Sequence, residues 1–347
     1  MTDPTRPYAE VMMSVLPNLL KLHEIWEHAL VHRCINVAAR LGIADLLVGG
    51  ELSVDELAQR TGSHRPTLYR VLRLLCAHGI FVEGENASFS LTPAAECLRS
   101  DVPWSLRWGS ETAGCHERAG TEILHAVRTG GCPFETASGM TLWGYLSRNA
   151  EAGDWFDREM QAYNVTLNIP AFLALEWGHA RVVVDIAGGT GKVLSSILLA
   201  HPHLKGILVD QPQVVARARA VMTKAGLETR CEIVGGDIFK AVPAGADTYI
   251  LSRVLHDWDD NHAVEILKVS RKAMAPGCRL RILEMIVPPG NSRHPSKTSD
   301  ISMLLLFGGG RERTEREFSD LLHMAGFRLE RVVRSRGAAN ILEAIPA

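Results

Sequence analysis

No stretch of this 347-residue chain is apolar for the roughly 20 residues a membrane-crossing helix needs. Nor is either charge in excess: 37 Lys and Arg against 39 Asp and Glu leave a formal −2. No nucleic-acid or membrane partner is therefore expected, since both are recruited through basic surface. There is no Cys-x-x-Cys pair. The seven cysteines, at positions 34, 76, 97, 115, 132, 231 and 278, are scattered and odd in number. That argues against a disulfide framework or a structural zinc, and for a reducing cytoplasmic setting. Internal repeats and low-complexity tracts are lacking too, and the opening MTDPTRPYAEVMM has no apolar signal-peptide core. What is there is an ordinary globular composition, 46% hydrophobic and 22% charged, at a length that implies two domains.

Residues 1–100 read as a helical, winged-helix-like domain. Asn18–Leu47 carries apolar residues at helical spacing (Leu19, Leu22, Ile25, Leu30, Ile35, Val37, Leu41), and Gly42 ends one piece. Ser53 with Glu56 forms a capping-box pattern, and Pro66 suits the first turn of a helix running to His78. Two short β segments around Gly84 then read as a hairpin, completing the helix–turn–helix–hairpin order. Residues 101–170 read as a helical, aromatic-rich linker with Trp104, Trp108, Trp143, Trp155 and Phe156.

From about residue 171 to the end the pattern is strand–helix alternation. Val182–Ile186, Gly206–Asp210, Cys231–Val234, Thr248–Leu251 and Arg279–Glu284 are the expected strands. Lys192–Ala200, Pro212–Ala225 and Val264–Met274 are the helices between them, and Arg328–Arg334 with Asn340–Ala344 form an antiparallel end. The fold class is α/β: a doubly wound, Rossmann-like sheet, with ligand expected at the carboxyl ends of the strands.

Asp185 closes the first of these strands, and Gly188, Gly189 and Gly191 make a turn whose backbone can approach a ligand. It is not a dinucleotide fingerprint, because Gly189-Thr190-Gly191-Lys192-Val193-Leu194 lacks the last glycine, and it is not a phosphate-binding Walker loop. Asp210 ends the second strand, where an acid can hold ribose hydroxyls. Gly236-Asp237-Ile238 follows the third, placing a carboxylate and an apolar side chain where an adenine could lie. Each acid alone is also an ordinary turn or cap; three at successive strand ends point to one nucleoside-like ligand.

Leu255-His256-Asp257-Trp258 follows the fourth strand and sets an imidazole and a carboxylate beside that ligand. Imidazole, with an ordinary pKa of about 6.5, can take the proton of a phenol (about 10) as its oxygen attacks. Glu284 and Glu312 are the candidates to hold the other ring nitrogen, and Asp257 suits a second substrate hydroxyl or carbonyl. Asp259 and Asp260 read as a solvated helix N-terminus.

With these motifs the chain resembles class I S-adenosylmethionine-dependent O-methyltransferases, the group of plant caffeic-acid-type and bacterial polyketide- and antibiotic-tailoring (carminomycin-type) enzymes. The resemblance runs over nearly the whole chain, including Gly139–Trp143, Phe156–Met160 and the Gly-Arg-Glu-Arg-Thr-Glu segment at 310–315. It implies S-adenosylmethionine as cofactor, no metal, and cofactor contacts from Asp185, Gly188, Gly189, Asp210, Gly236, Asp237, Ile238 and Ser252. It implies His256 as general base bracketed by Glu284 and Glu312. It further implies an acceptor pocket lined by Trp143, Met160, Asn164, Asp257 and the Asp300–Leu306 helix, and a homodimer made through the N-terminal domain; the apolar Trp143, Met160, Met303, Leu304 and Phe307 suggest a flat aromatic acceptor, although such residues at helical spacing are also ordinary core. Two positions depart from the family: Ala187 stands where glycine is usual, and Ser252, followed by Arg253, where lysine is common.

Other classes fit less well. An oxidoreductase would share the sheet but not the glycine spacing, and a winged-helix regulator would need a basic face that His64, Arg65, Arg70 and Arg73, set among acids, do not make. Same-fold relatives that methylate carbon or nitrogen, or that hydroxylate or decarboxylate, share the cofactor pocket; the fold does not separate them.

Overall fold

The computed structural model describes residues 8–335 and 337–347. The first seven residues of the opening segment lie outside it. The chain divides into two compact units at Ala113/Gly114, inside the stretch that the sequence pattern treats as a linker.

The first unit starts with a 34-residue helix, Tyr8–Leu41, which stops where Gly42 takes a left-handed φ of 68°. Helix Val54–Thr61 follows, capped reciprocally by Ser53 and Glu56, and then helix Arg65–Ala77 with proline in its first turn. Strands β1 (Leu52–Ser53), β2 (Phe81–Glu83) and β3 (Ser88–Leu91) form a small antiparallel sheet in the order β1-β3-β2. The hairpin is the one expected; β1 was too short to show a period. Leu57, Leu72, Leu75, Phe81 and Phe89 are fully enclosed. Along the first helix, by contrast, Met13, Leu20, Leu22, Ile25, Trp26 and Leu30 are all more than half exposed. Within its own unit this apolar stripe has no core to enter, so exposure of that size marks a contact surface.

The second unit holds a seven-stranded sheet: β4 (Val182–Ile186), β5 (Lys205–Asp210), β6 (Cys231–Gly235), β7 (Thr248–Ser252), β8 (Arg279–Met285), β9 (Phe327–Val333) and β10 (Ala339–Pro346). Their order is β6-β5-β4-β7-β8-β10-β9. Neighbours from β6 through β8 are parallel, while β10 runs antiparallel to both β8 and β9. The chain steps outward from β4 to β6 and returns to β7 beside β4. At such a reversal a ligand is expected at the carboxyl ends, here between the glycine turn and the loop after β7. Because strand side chains alternate faces, each face has its own core. Val184, Ile186, Tyr249 and Leu251 pack with Leu267 and Phe318. Val183, Leu208, Ile250 and Leu283 pack with Phe172, Trp177, Leu194 and Leu198.

Helix Asp260–Ala273 begins four residues before the apolar periodicity does, because the Asp259 carboxylate caps it, accepting from His262 N at 2.9 Å. Asp260 is not merely solvated. It pairs at 2.8 Å with Arg313, a fully buried guanidinium that also donates to the carbonyls of Leu255 (2.9 Å) and Trp258 (2.8 Å).

Candidate active site

Asp185, at the end of β4, is fully buried, and neither of its carboxylate oxygens has a hydrogen-bond partner. Burial, reinforced by the nearby Asp210 charge, pushes its carboxyl up to about 8. A Cβ on Gly188 would stand 2.4 Å from that carboxylate and from Leu208, so only glycine lets the turn close over the strand end. Gly189 and Gly191 adopt positive φ, as glycine permits. Ala187 also sits at a positive φ, 55°. The departure from the family's usual glycine is therefore a conformational cost in the turn and not only a matter of approach.

Asp210 takes the Gly189 N–H on Oδ2 (2.8 Å) and that of Gln211 on Oδ1 (2.7 Å), tying the end of β5 to the turn. Gly236 N donates to the Asp210 carbonyl at 2.9 Å. The Asp237 carboxyl, half exposed, is held below its ordinary value by the Phe239 N–H (3.0 Å) and by Lys240. Ile238 packs partly into the sheet core. Ser252 ends β7 with its buried Oγ unpartnered. These groups from Asp185 to Ser252 all belong to the carboxyl edge of β4–β7, as the motif spacing predicts.

His256 lies in a single helical turn, Leu255–Asp257, and is only 7% exposed. Its Nδ1 meets Glu284 Oε2 at 2.8 Å, and its Nε2 meets Asp257 Oδ1 at 3.2 Å. Glu284, from β8, is fully buried and saturated. Oε1 accepts from Val254 N (3.0 Å) and Leu255 N (2.9 Å), and Oε2 also accepts from Arg253 Nη1 (2.9 Å). Burial alone would raise this carboxyl, but the positive charges of His256 and Arg253 and the donated hydrogen bonds outweigh it and hold it down to about 2. For His256, burial and Arg253 push against protonation. The Glu284 and Asp257 carboxylates win, raising the ring to about 10.

The two glutamates expected to bracket His256 have different partners. Glu284 does hold the ring; Glu312 holds Arg253, accepting from Nη2 at 2.8 Å and Nη1 at 3.2 Å, and takes Ser299 Oγ at 2.7 Å. The flat guanidinium fork of Arg253 reaches both carboxylates and occupies the place between them. Asp257, expected to hold a second substrate group, lies on the ring nitrogen that faces away from Glu284.

Of the expected acceptor residues, Trp143 packs edge-on to Phe156 at 5.7 Å and tilted against Phe307 at 5.5 Å, with nearly half its surface open. Met160 and Met303 are partly buried. Asn164 accepts from Asn168 Nδ2 at 2.7 Å inside a π-helical turn, Asn164–Asn168, a distortion often found at functional sites. Motif reading missed Arg313 and Ser299 and gave no locking role to Arg253, named only beside Ser252, or to Asp260, read as solvated. Each acts through a partner distant in sequence, which a motif read along the chain does not show. Among the described residues no cluster of three or more His, Cys, Asp or Glu side chains is placed to hold a metal, and no helix is long and apolar enough to cross a membrane.

Comparison with known proteins places this geometry. Residues 121–328 match an O-methyltransferase domain model and residues 24–101 an O-methyltransferase dimerisation domain model. A phenazine O-methyltransferase of Lysobacter antibioticus is 39% identical over all 347 residues, the full length of both chains. A phenazine-1-carboxylate N-methyltransferase of Pseudomonas aeruginosa is 34% identical, over 87% of this chain and 89% of its own. Among solved structures, an O-methyltransferase of neocarzinostatin biosynthesis, in complex with S-adenosylmethionine and 2-hydroxy-5-methyl naphthoic acid, superposes with a TM-score of 0.78. It is 31% identical and covers 91% of this chain and 95% of that one.

Proposed function

This chain belongs to the S-adenosylmethionine-dependent O-methyltransferases of secondary metabolism, and from that premise we propose that it methylates a phenolic hydroxyl of a planar aromatic small molecule, with His256 as general base. The observation that carries this reading is the buried His256–Glu284 pair beside the carboxyl ends of β7 and β8.

The glycine turn and the strand ends fit the cofactor. The cradle over Asp185 closes only around Gly188, and two buried carboxylate oxygens there await donors. Asp185, Gly188 and Gly189 would hold the amino-acid end, Asp210 the ribose, and Gly236, Asp237 and Ile238 the adenine, with Ser252 alongside. When bound, S-adenosylmethionine supplies a methyl already activated on sulfonium, so the protein's task is to orient the acceptor and unmask its oxygen. Glu284 stays anionic and keeps Nδ1 protonated, which leaves Nε2 to face the acceptor. The Glu284 carboxylate raises the ring, which brings its proton affinity closer to that of a phenol of about 10 than a free imidazole near 6.5 would be. The closer the two lie, the less it costs to rest the proton on His256 and leave the negative charge on the acceptor oxygen. Asp257 must release Nε2 as the acceptor enters and then faces the imidazolium. Trp143, Phe307, Met160 and Met303 offer the flat apolar wall, and Asn164 a polar edge.

Nitrogen methylation is the second reading, favoured by the N-methyltransferase relative. Labelled S-adenosylmethionine offered with hydroxyphenazines, hydroxynaphthoates and their amino analogues, with the methyl located by NMR, separates the two. An O-methyl product supports the proposal; methylation of the amines with the phenols untouched replaces it. We further infer a homodimer formed through the N-terminal domain, from its dimerisation-domain match and the exposed stripe of helix Tyr8–Leu41. Sedimentation at micromolar concentration tests it; a monomer there overturns it.

A further inference from the structure

Arg253 has a backbone φ of 57°, the left-handed region that side-chain-bearing residues rarely occupy. Strain at such a position persists only where the surroundings hold it, and here they do. Its N–H donates to the Leu283 carbonyl at 3.0 Å, and its guanidinium grips two buried carboxylates. Nη1 bridges Glu284 Oε2 (2.9 Å) and Glu312 Oε2 (3.2 Å), while Nη2 takes Glu312 Oε1 (2.8 Å). Glu284 Oε2 is therefore shared between Arg253 and His256 Nδ1. Glu312 is fastened in turn by Ser299 Oγ, and its own N–H is held by Asp300 Oδ1 at 2.9 Å.

We propose that Arg253 is a positioning residue for His256, holding Glu284 in register and sharing its charge so that the ring stays able to exchange its proton. The inference rests on the reading of His256 as the base. Its logic is a charge count over the buried cluster. Glu284, Glu312 and Asp257 bring three carboxylates to the cluster, and Arg253 offsets one. The proton on His256 offsets a second. When the ring gives that proton up, two uncompensated carboxylates remain; without Arg253 there would be three, and the ring would be locked as imidazolium. The other groups facing the pair do not replace this charge. Asp257 sits on Nε2 and favours the protonated ring. Tyr163, pushed up to about 12 by burial and by Glu159 against the opposing influence of Arg253, stays neutral at ordinary pH. Lysine would supply the charge but not the planar fork that reaches both glutamates.

The test is the titration of His256 in the full-length protein, followed by NMR of imidazole-labelled histidine and assigned by the signal lost in H256N. R253M should hold the ring protonated to higher pH by about one unit or more, which is about a tenfold higher ratio of imidazolium to imidazole at the wild-type midpoint. R253K should titrate between R253M and wild type. A titration of R253M that overlays wild type overturns the proposal. If R253M does not fold, E312Q removes the carboxylate that competes with Glu284 for Arg253; the ring should then lose its proton at lower pH than in wild type, and an E312Q titration that overlays wild type overturns the proposal equally. Methyl transfer by H256A separates the two layers. If H256A loses turnover while R253M titrates as wild type, only the Arg253 assignment falls. If H256A keeps turnover, the reading of His256 as base falls, and the role of Arg253 in the reaction with it.

Discussion

Replacing Glu284 by Gln changes one atom's chemistry at constant shape. The carboxylate accepts four donors: Val254 N, Leu255 N, Arg253 Nη1 and His256 Nδ1. A carboxamide has one acceptor oxygen and a two-proton donor. If that oxygen keeps the two backbone N–H groups, the amide nitrogen faces His256 Nδ1 and Arg253. His256 must then carry its proton on Nε2, and the lone pair that serves the acceptor is gone. The expected loss in turnover is about 10²–10⁴-fold, the usual worth of a general base. Breaking a buried, charge-paired contact from one side should also cost about 3–5 kcal/mol of stability.

That stability cost should depend on pH. Glu284, held near 2 when folded, contributes stability that is present above its unfolded value of about 4.5 and lost as pH falls through 2. His256, raised to about 10, contributes stability that is complete below its unfolded 6.5 and lost as pH rises through 10. The two describe one interaction and are not added. The melting-temperature gap between wild type and E284Q should therefore be widest near pH 5–6 and shrink steadily toward pH 10. Calorimetry across that range with a parallel methyl-transfer assay reads both effects. A gap that is flat in pH, or turnover within threefold of wild type, would refute the reasoning.

Three further outcomes follow from the same geometry. H256A should lose turnover by about 10²–10⁴-fold while S-adenosylmethionine affinity, measured calorimetrically, changes less than about threefold; a matched loss of affinity would mean that the ring holds cofactor rather than proton. G188A puts a methyl 2.4 Å from the Asp185 carboxylate and Leu208, so cofactor binding should weaken by about tenfold or more while the fold survives; unaltered binding would show that the turn does not touch the ligand. R313M removes a buried guanidinium that pins the Leu255 and Trp258 carbonyls and pairs with Asp260, and should cost about 3–5 kcal/mol and most activity together. Loss of activity at unchanged melting temperature would move Arg313 from scaffold to chemistry.

What could be read along the chain was local. A period of 3.6 or 2 marks helices and buried strands, the capping box of Ser53 and Glu56 starts a helix, and glycines with positive φ end helices or shape the turn after β4. Each depends on residues a few positions apart, so the winged-helix order, the parallel strands and the Asp185–Gly191 turn were legible in one dimension. His256 was legible for the same reason: it stands just beyond a strand end.

Which acid serves His256 was decided only by the tertiary structure. Glu284 and Glu312 are equivalent in type and both distant in sequence. The β7–β8 register, pairing Ser252 with Leu283, brings Glu284 to 2.8 Å from Nδ1, while Arg253 intercepts Glu312. A hydrogen bond forms or fails within a few tenths of an ångström, a precision that comes from sheet pairing and close packing and not from pattern. The insertion of β10 between β8 and β9 was equally invisible, because a strand's neighbours are chosen by long-range fit. So was the charge of His256. Its residue type offers a ring near 6.5; burial, Arg253 and two carboxylates drawn from separate elements set where its proton rests.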